Sequence, residues 1–207
     1  HKGDRTGAML STTLLKRAGK AENVSILSDT FVLDLVTHRS ACVGAVLWSK
    51  EKGLHWVQAR TTILATGGAG QLYRETTNPA VATGDGIAMA WRAGAELMDL
   101  EFYQFHPTTL YLAGASRALI TEAVRGEGGV LRDRKGRAFM KEYHPMGDLA
   151  PRDVVSRAIL DHMLRTKDTQ VYLDVRKVKR VRQRFPGLAS VADTYKLKLT
   201  KDLIPVR

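Results

Sequence analysis

The sequence contains almost no cysteine and no long apolar run. Its single cysteine, Cys42, excludes an internal disulfide and a cysteine-rich zinc site. No stretch approaches the roughly 18 apolar residues that a transmembrane helix needs. The first five residues also lack the apolar core of a secretion signal. We therefore expect a cytoplasmic, reducing location and no membrane segment.

Several well-known site motifs are missing too. The sequence has no G-x-G-x-x-G opening a βαβ unit, no G-x-x-x-x-G-K-[ST] loop and no G-x-S-x-G elbow. Its His and Glu residues do not recur at metal-ligand spacing. The sequence therefore predicts no metal site and carries none of the usual nucleotide-binding fingerprints.

The composition is that of a globular protein with unevenly distributed charge. At 207 residues, 44% hydrophobic and 26% charged, the chain can bury a sizeable core. Residues 1–105 carry 11 Lys and Arg against 10 Asp and Glu, whereas residues 106–207 carry 21 against 11. The second half is therefore expected to attract an anion, which could be nucleic acid, an acidic partner or a small polycarboxylate.

The first half alternates short β-rich runs with polar turns. A helix is predicted to begin at Asp4 or Thr6 and to end at Gly19. Strands are then predicted at 25–27, 31–36, 43–48, 54–58, 61–65 and 98–105, with a hairpin turn at 50–53 and a helix at 87–95. This pattern predicts a small β-meander, a buried strand at 61–65 and a helix.

The second half combines longer polar loops with basic segments. Strands are predicted at 130–132, 138–140 and 171–175, with a turn at 135–136. Pro151 suits a first helical position, so a helix is predicted from residue 151 to about residue 164, and a basic helix over 176–185. The texture changes near residues 104–110, which predicts two domains, 1–105 and 106–207. The overall fold class is mixed, α+β or α/β.

His106 stands where the predicted strand 98–105 ends. In an extended chain Gln104 and His106 share a face, and Pro107 keeps His106 out of helical geometry. An imidazole at such a place can donate a hydrogen bond to a carboxylate ligand. Alternatively, the ring only contacts a nearby carbonyl group. The polar clusters elsewhere in the second half favour the ligand-binding interpretation.

Arg152 lies in the first turn of the helix predicted at 151–164. Its spacing from Val155 and Ile159 puts it at the edge of the apolar face. A cation there opposes the helix dipole, which is physically sensible if the free N–H groups and the guanidinium bind one anion. The alternative is a surface ion pair with Asp148 or Asp153.

Thr121, Glu122 and Arg125 precede a glycine turn at 126–129. Glu122 and Arg125 are three residues apart and can pair if this segment is helical. A carboxylate between Arg125 and Arg152 would form an ionisable chain that could pass a proton. An ion-pair network that only braces the turn is the alternative, and the sequence does not separate the two.

The most basic stretch, residues 176–184, favours a different class of function. Its Lys and Arg side chains could contact phosphate groups in a salt-dependent way. A nucleic-acid or partner-binding module is therefore the alternative of another class. Aromatic residues are absent from this stretch until Phe185, however, so a solvated helix face is the simpler interpretation and no nucleic-acid partner is expected.

Five segments together resemble the succinate dehydrogenase/fumarate reductase flavoprotein family. They are ILATGGAG at 63–70, GDG at 84–86, QFHPT at 104–108, TEAVRGEGG at 121–129 and PRD at 151–153. Within the family, TTNP at 76–79, AMAWRAG at 88–94, Ala123 and Pro151 resemble the L-aspartate oxidase branch. The resemblance covers about residues 1–175 and is most specific over 62–160.

The resemblance implies that the first domain is part of an FAD-binding domain and the second a mobile capping domain, with catalysis at their junction. Glycines directly after a strand let a backbone approach a phosphate or a flat ring closely. By resemblance, Ala65, Thr66 and Gly67 would approach FAD through their backbone, and Asp85 would bind it.

The resemblance also implies the substrate site. His106 and Thr121 would hold a substrate carboxylate. Arg152 would transfer a proton, with Glu122 and Arg125 as its relay. The implied reaction is oxidation of L-aspartate to iminoaspartate, the feed for quinolinate and NAD synthesis, in which the flavin does the redox work. A succinate dehydrogenase or fumarate reductase flavoprotein is the nearest alternative.

The chain also departs from the family pattern. Family members begin with a glycine-rich dinucleotide fold and end with a segment that supplies further substrate and FAD contacts, and neither is recognised here. We therefore expect a central fragment of the enzyme. Its expected partners are the missing parts of the same enzyme and a small dicarboxylate, and alone it is expected to bind FAD weakly and to have no turnover.

Overall fold

The computed structural model describes residues 6–115 and 117–207. These residues divide into two compact units, one formed by Thr13–Phe102 and the other by Tyr103–Arg207 together with residues 6–12. The helix cap predicted at Asp4 lies outside the described residues. The mixed helix and strand content confirms the predicted fold class.

The first unit contains the predicted β-meander. Strands β1 (Thr30–His38), β2 (Ala41–Ser49) and β3 (Gly53–Gln58) pair antiparallel in the order β1-β2-β3. Gly53 has a φ of 63°, which suits it to the hairpin turn predicted before β3. Helix α1 (Thr6–Ala18) precedes the sheet and ends, as predicted, at the glycine that follows.

Helix α2 (Asp85–Arg92) is joined to the meander by an ion pair. Arg92 Nε lies 2.8 Å from Asp34 Oδ2 on β1. The helix is shorter at its C-terminal end than the predicted 87–95. On this helix Trp91 is 68% exposed, whereas Met89 is buried.

Three strands predicted in the first half of the chain are wrong. Segments 25–27, 61–65 and 98–105 have extended or irregular backbone, and no strand among the described residues pairs with them. The segment 61–65 is also not buried, since Ile63 is 86% exposed. A β-rich composition supplies only a local preference, and a strand additionally requires a neighbouring strand to complete its hydrogen bonds.

The second unit is built on a separate antiparallel sheet. Strands β4 (Val130–Arg132), β5 (Val171–Asp174) and β6 (Ile204–Val206) pair in the order β4-β5-β6. Helix α4 (Arg152–Thr166) shares one apolar core with this sheet. The remaining helices are α3 (Ala123–Gly126), α5 (Val181–Arg184) and α6 (Pro186–Thr194), with 3-10 turns at Met140–Glu142 and Gly147–Leu149.

Two predictions in the second unit fail. The strand expected at 138–140 is reduced to one bridge between Ala138 and Arg132. The basic helix expected over 176–185 exists only as α5, because Arg180 has a left-handed φ of 50° that interrupts it. Val178 and Phe185 are buried in the core, so packing overrides the helical preference of the basic residues.

Neither a membrane-spanning helix nor a metal-binding group is found in the part of the chain that the structure describes. No helix within residues 6–115 and 117–207 has the length and apolar character needed to cross a membrane. The same residues contain no group of three His, Cys, Asp or Glu side chains that could hold a metal ion.

Candidate active site

The start of α4 and the turn before α3 bring one carboxylate between two guanidinium groups. Arg152 Nε lies 2.9 Å from Glu122 Oε1, and Arg152 Nη2 lies 3.3 Å from Oε2. Arg125 Nη2 lies 3.1 Å from the same Oε1. Glu122 therefore bridges Arg152 and Arg125, the three residues that the sequence analysis placed in one ionisable chain.

The two arginines differ sharply in burial. The side chain of Arg125 is 4% exposed, whereas that of Arg152 is 38% exposed. Burial lowers the pKa of Arg125, and the negative charges of Glu122 and Asp148 oppose this. The hydrogen bond from Arg152 lowers the pKa of Glu122, so the bridging carboxylate stays ionised.

Arg152 is not engaged in the surface ion pair that was its alternative. Asp153 pairs instead with Arg157, at 2.6 Å. The remaining terminal nitrogen of Arg152 donates to Gln104 Oε1 at 2.7 Å. The Arg152 fork therefore contacts Glu122 on one side and an amide oxygen on the other.

Gln104 was not assigned a role from the sequence. Its predicted strand is absent, so the argument that it shares a strand face with His106 does not apply. The contact with Arg152 nevertheless brings it into the cluster. The one sequence signal for Gln104 was its position in the QFHPT segment beside His106.

His106 is half-buried and close to the charged cluster. Its Nδ1 lies 3.2 Å from both the amide nitrogen and the carbonyl oxygen of Thr108. Burial and, next, the positive charge of Arg152 lower the pKa of His106, with Glu122 opposing. The neutral imidazole is therefore favoured, which makes His106 a hydrogen-bonding group rather than a permanent cation.

Thr121 directly precedes Glu122 in the same turn. Its hydroxyl oxygen accepts a hydrogen bond from the amide of Ala123 at 3.4 Å. Because the hydroxyl oxygen is the acceptor in this bond, the Thr121 O–H can still donate to a ligand.

The residues predicted to contact the cofactor lie in the first unit. Ala65, Thr66 and Gly67 are exposed, and Gly67 has a φ of 73°. The Thr66 side chain lies directly against Gly86 in the first turn of α2. The neighbouring Asp85 begins α2, and its Oδ2 accepts from the Thr83 hydroxyl at 2.8 Å. The structure thus places the loop at 65–67 against the start of α2.

Comparison with known proteins identifies relatives along the whole chain. The profile of the FAD binding domain family matches residues 1–206. L-aspartate oxidase of Nostoc sp. is 46% identical over 214 residues, covering 100% of this chain and 37% of that protein. L-aspartate oxidase of Pseudomonas aeruginosa is 42% identical and covers 100% of this chain and 40% of that protein. The chain therefore spans about two fifths of the length of these curated relatives.

Solved structures show the same relationship. A quinol-fumarate reductase with menaquinol molecules superposes with a TM-score of 0.90 at 34% identity, covering 100% of this chain and 39% of that chain. The open conformation of a flavocytochrome c3 fumarate reductase gives a TM-score of 0.64 at 28% identity, covering 96% and 37%. These matches confirm the resemblance inferred from the sequence motifs. The chain belongs to the FAD binding domain family, among the succinate dehydrogenase and fumarate reductase flavoproteins.

Proposed function

We propose that this chain is part of a flavin-dependent oxidoreductase that oxidises L-aspartate to iminoaspartate, in the route to quinolinate and NAD. The observation that carries the proposal is the Glu122 carboxylate held between Arg125 and Arg152. The identity of 42–46% to relatives named L-aspartate oxidase supports the choice of substrate.

In this proposal Arg152 transfers the substrate proton. Its fork is held at a fixed angle by Glu122 and Gln104, so the guanidinium is oriented before substrate binds. Glu122 and Arg125 relay the proton, because their side chains form an unbroken line of hydrogen bonds from Arg152 into the buried part of the unit. Arg125, Arg152 and Glu122 together carry one net positive charge. This charge offsets part of the negative charge of a bound dicarboxylate.

His106 and Thr121 are proposed to bind a substrate carboxylate. The neutral form of His106 can donate one N–H, and Thr121 can donate its O–H. Neither donor depends on an uncompensated buried charge. This suits a site that already carries the two guanidinium groups of the relay.

The cofactor is proposed to contact Ala65, Thr66 and Gly67 through their backbone and Asp85 through its side chain. The loop fits such a group: Gly86 has no side chain where Thr66 lies, and the space beside Gly67 is open. FAD, when bound, supplies the two-electron acceptor for the oxidation. The protein residues named above bind, orient and carry the proton.

The domain assignment and location are also proposals. We assign residues 1–105 to the FAD-binding part and residues 106–207 to a substrate-capping domain. The change of compact unit between Phe102 and Tyr103 supports this boundary, although residues 6–12 group with the second unit. A cytoplasmic location is favoured by the single cysteine.

The competing proposal is a succinate dehydrogenase or fumarate reductase flavoprotein, which the TM-score of 0.90 to a quinol-fumarate reductase favours. The complete FAD-loaded protein should be assayed with L-aspartate and with succinate as electron donors. Turnover of L-aspartate supports the main proposal, and turnover of succinate alone supports the alternative. Absence of both in protein with stoichiometric FAD contradicts the oxidoreductase assignment.

A further inference from the structure

The buried guanidinium of Arg125 is held at two nitrogens by different parts of the chain. Nη2 donates to Glu122, and Nη1 donates to the main-chain carbonyl oxygen of Asp148. The third nitrogen, Nε, is buried and has no hydrogen-bond partner among the described residues. The position of Arg125 therefore depends on where the Asp148 carbonyl group lies.

The side chain of Asp148 anchors that carbonyl group. Asp148 belongs to the 3-10 turn Gly147–Leu149. Its Oδ1 accepts a hydrogen bond of 2.7 Å from the amide of Leu131, a fully buried residue of β4. The carboxylate thus ties the turn to the sheet of the second unit.

The same turn leads directly into the other arginine of the cluster. The amide of Ala150 donates to the carbonyl oxygen of Gly147 at 3.0 Å, which closes the turn. Two residues later Arg152 begins α4 and contacts Glu122. One anchored segment of five residues therefore determines where both guanidinium groups meet Glu122.

The charges of Asp148 and Arg125 also stabilise this arrangement. Burial raises the pKa of Asp148, and the Leu131 amide together with the charges of Arg125 and Arg132 opposes the rise. In turn, the Asp148 charge opposes the fall in the pKa of Arg125. The carboxylate and the buried guanidinium therefore stabilise each other's charged forms.

We infer that Asp148 is a positioning residue for proton transfer, because its carboxylate anchors the turn that places both Arg125 and Arg152 on Glu122. This inference rests on the proposed function of these three residues. Within the part of the chain that the structure describes, Asp148 makes no hydrogen bond to Glu122 or Arg152, so it acts through Arg125 and through the turn that leads into α4.

The test compares Asp148→Asn with Asp148→Ala in the complete FAD-loaded protein. Asparagine keeps an oxygen for the Leu131 amide but lacks the charge, whereas alanine lacks both. We expect kcat for L-aspartate to fall about tenfold in Asp148→Asn, as for loss of one charged hydrogen-bond partner. In Asp148→Ala we expect a fall of about 100-fold, as for a displaced catalytic group. KM should stay within about twofold in both, since substrate contacts remain.

The pH profile separates positioning from a general structural effect. Asp148→Asn removes the carboxyl group whose pKa is raised by burial and leaves Glu122, whose pKa is lowered by the hydrogen bond from Arg152. The acid limb of kcat should therefore move to lower pH in Asp148→Asn. Asp193→Asn is the matched control, because it removes an exposed carboxylate paired with Arg182, and it should leave kcat and the profile unchanged.

Each outcome decides the inference. Wild-type kcat and an unchanged acid limb in Asp148→Asn overturn it, as does a fall in kcat without any change in the pH profile. In both cases the proposed function would still hold if the wild-type protein oxidises L-aspartate and Glu122→Gln does not. If the wild-type protein oxidises neither L-aspartate nor succinate, the proposed function fails and the inference fails with it. If Asp148→Ala loses FAD or does not fold, Asp148→Asn alone decides.

Discussion

Arg152 and Glu122 lie thirty positions apart in the sequence and make a two-point contact, with Nε 2.9 Å from Oε1 and Nη2 3.3 Å from Oε2. A planar guanidinium matches a carboxylate in this way, and an ammonium group does not. The contact therefore restricts the orientation of Arg152 as well as its position.

We predict that Arg152→Lys loses most turnover in the complete protein. Lysine keeps the charge but cannot bind Glu122 and Gln104 simultaneously in the same geometry, so kcat/KM for L-aspartate should fall by about 100-fold or more, the range expected for loss of an acid–base group. Steady-state kinetics with measured FAD content checks this. Arg157→Lys is the control, because Arg157 forms an exposed pair with Asp153 and does not belong to the proposed relay. Near-normal rates for Arg152→Lys would remove it from proton transfer.

The titration of His106 should respond to a bound dicarboxylate. Burial and the Arg152 charge hold its pKa below the ordinary value of 6.5. A carboxylate beside the ring favours the protonated form, so malonate should raise the pKa of His106. NMR titration of the histidine signals, with His106→Asn to assign the resonance, measures the change. If malonate inhibits turnover but leaves this titration unmoved, His106 does not bind the carboxylate.

Asp174 should stabilise the second unit in a pH-dependent way. It is buried and pairs with Arg176 at 2.8 Å and with Arg132 at 2.7 Å, and these arginines hold its pKa far below the ordinary value of 3.8. Asp174→Asn removes the carboxylate that pairs with Arg132, which keeps its hydrogen bond to the Gly136 carbonyl oxygen, so the free energy of unfolding at pH 7 should fall by about 3 kcal/mol.

The sign of the pH effect follows from the lowered pKa. The stabilisation by Asp174 is complete above pH 3.8 and is lost as the pH falls further. Below that pH, the difference in unfolding free energy between wild type and Asp174→Asn should shrink by about 1.4 kcal/mol per pH unit. Urea unfolding at several pH values measures it. Asp153→Asn, which breaks an exposed pair, should lower the free energy of unfolding far less than Asp174→Asn does. An equal cost for the two variants would contradict the prediction.

Gly86→Ala should weaken FAD binding. A Cβ at this position would overlap the Thr66 hydroxyl, so the loop at 65–67 would have to move. Overpacking of this kind costs about 1–3 kcal/mol, which corresponds to a loss in FAD affinity of about tenfold or more. Titration of the complete apoprotein with FAD measures it. Gly7→Ala places its Cβ in open space and serves as the control. Unchanged affinity in Gly86→Ala would contradict the cofactor role of this loop.

Local features of the chain were predictable where short-range rules govern them. The meander turn before Gly53, the end of α1 before Gly19 and the start of α4 beside Pro151 follow from backbone preferences of single residues. The predictions fail where the structure of a segment depends on another segment that packs or pairs with it. Segment 61–65 has no strand beside it in the described part of the chain, and the basic segment 176–185 is bent by the burial of its valines.

The candidate site divides along the same line. The sequence by itself determined the chemistry that is present: the motifs around His106, Glu122 and Arg152 were sufficient to indicate the family, because that information lies in residue identity and order. Only the tertiary structure decided which side chains of the site contact one another. It placed Glu122 between the two arginines, as the sequence analysis had expected, and it brought in Gln104 and Asp148, which lie 48 and 23 positions away from the arginines they contact. Such contacts depend on how helices and turns pack, and no short-range preference of the chain encodes them.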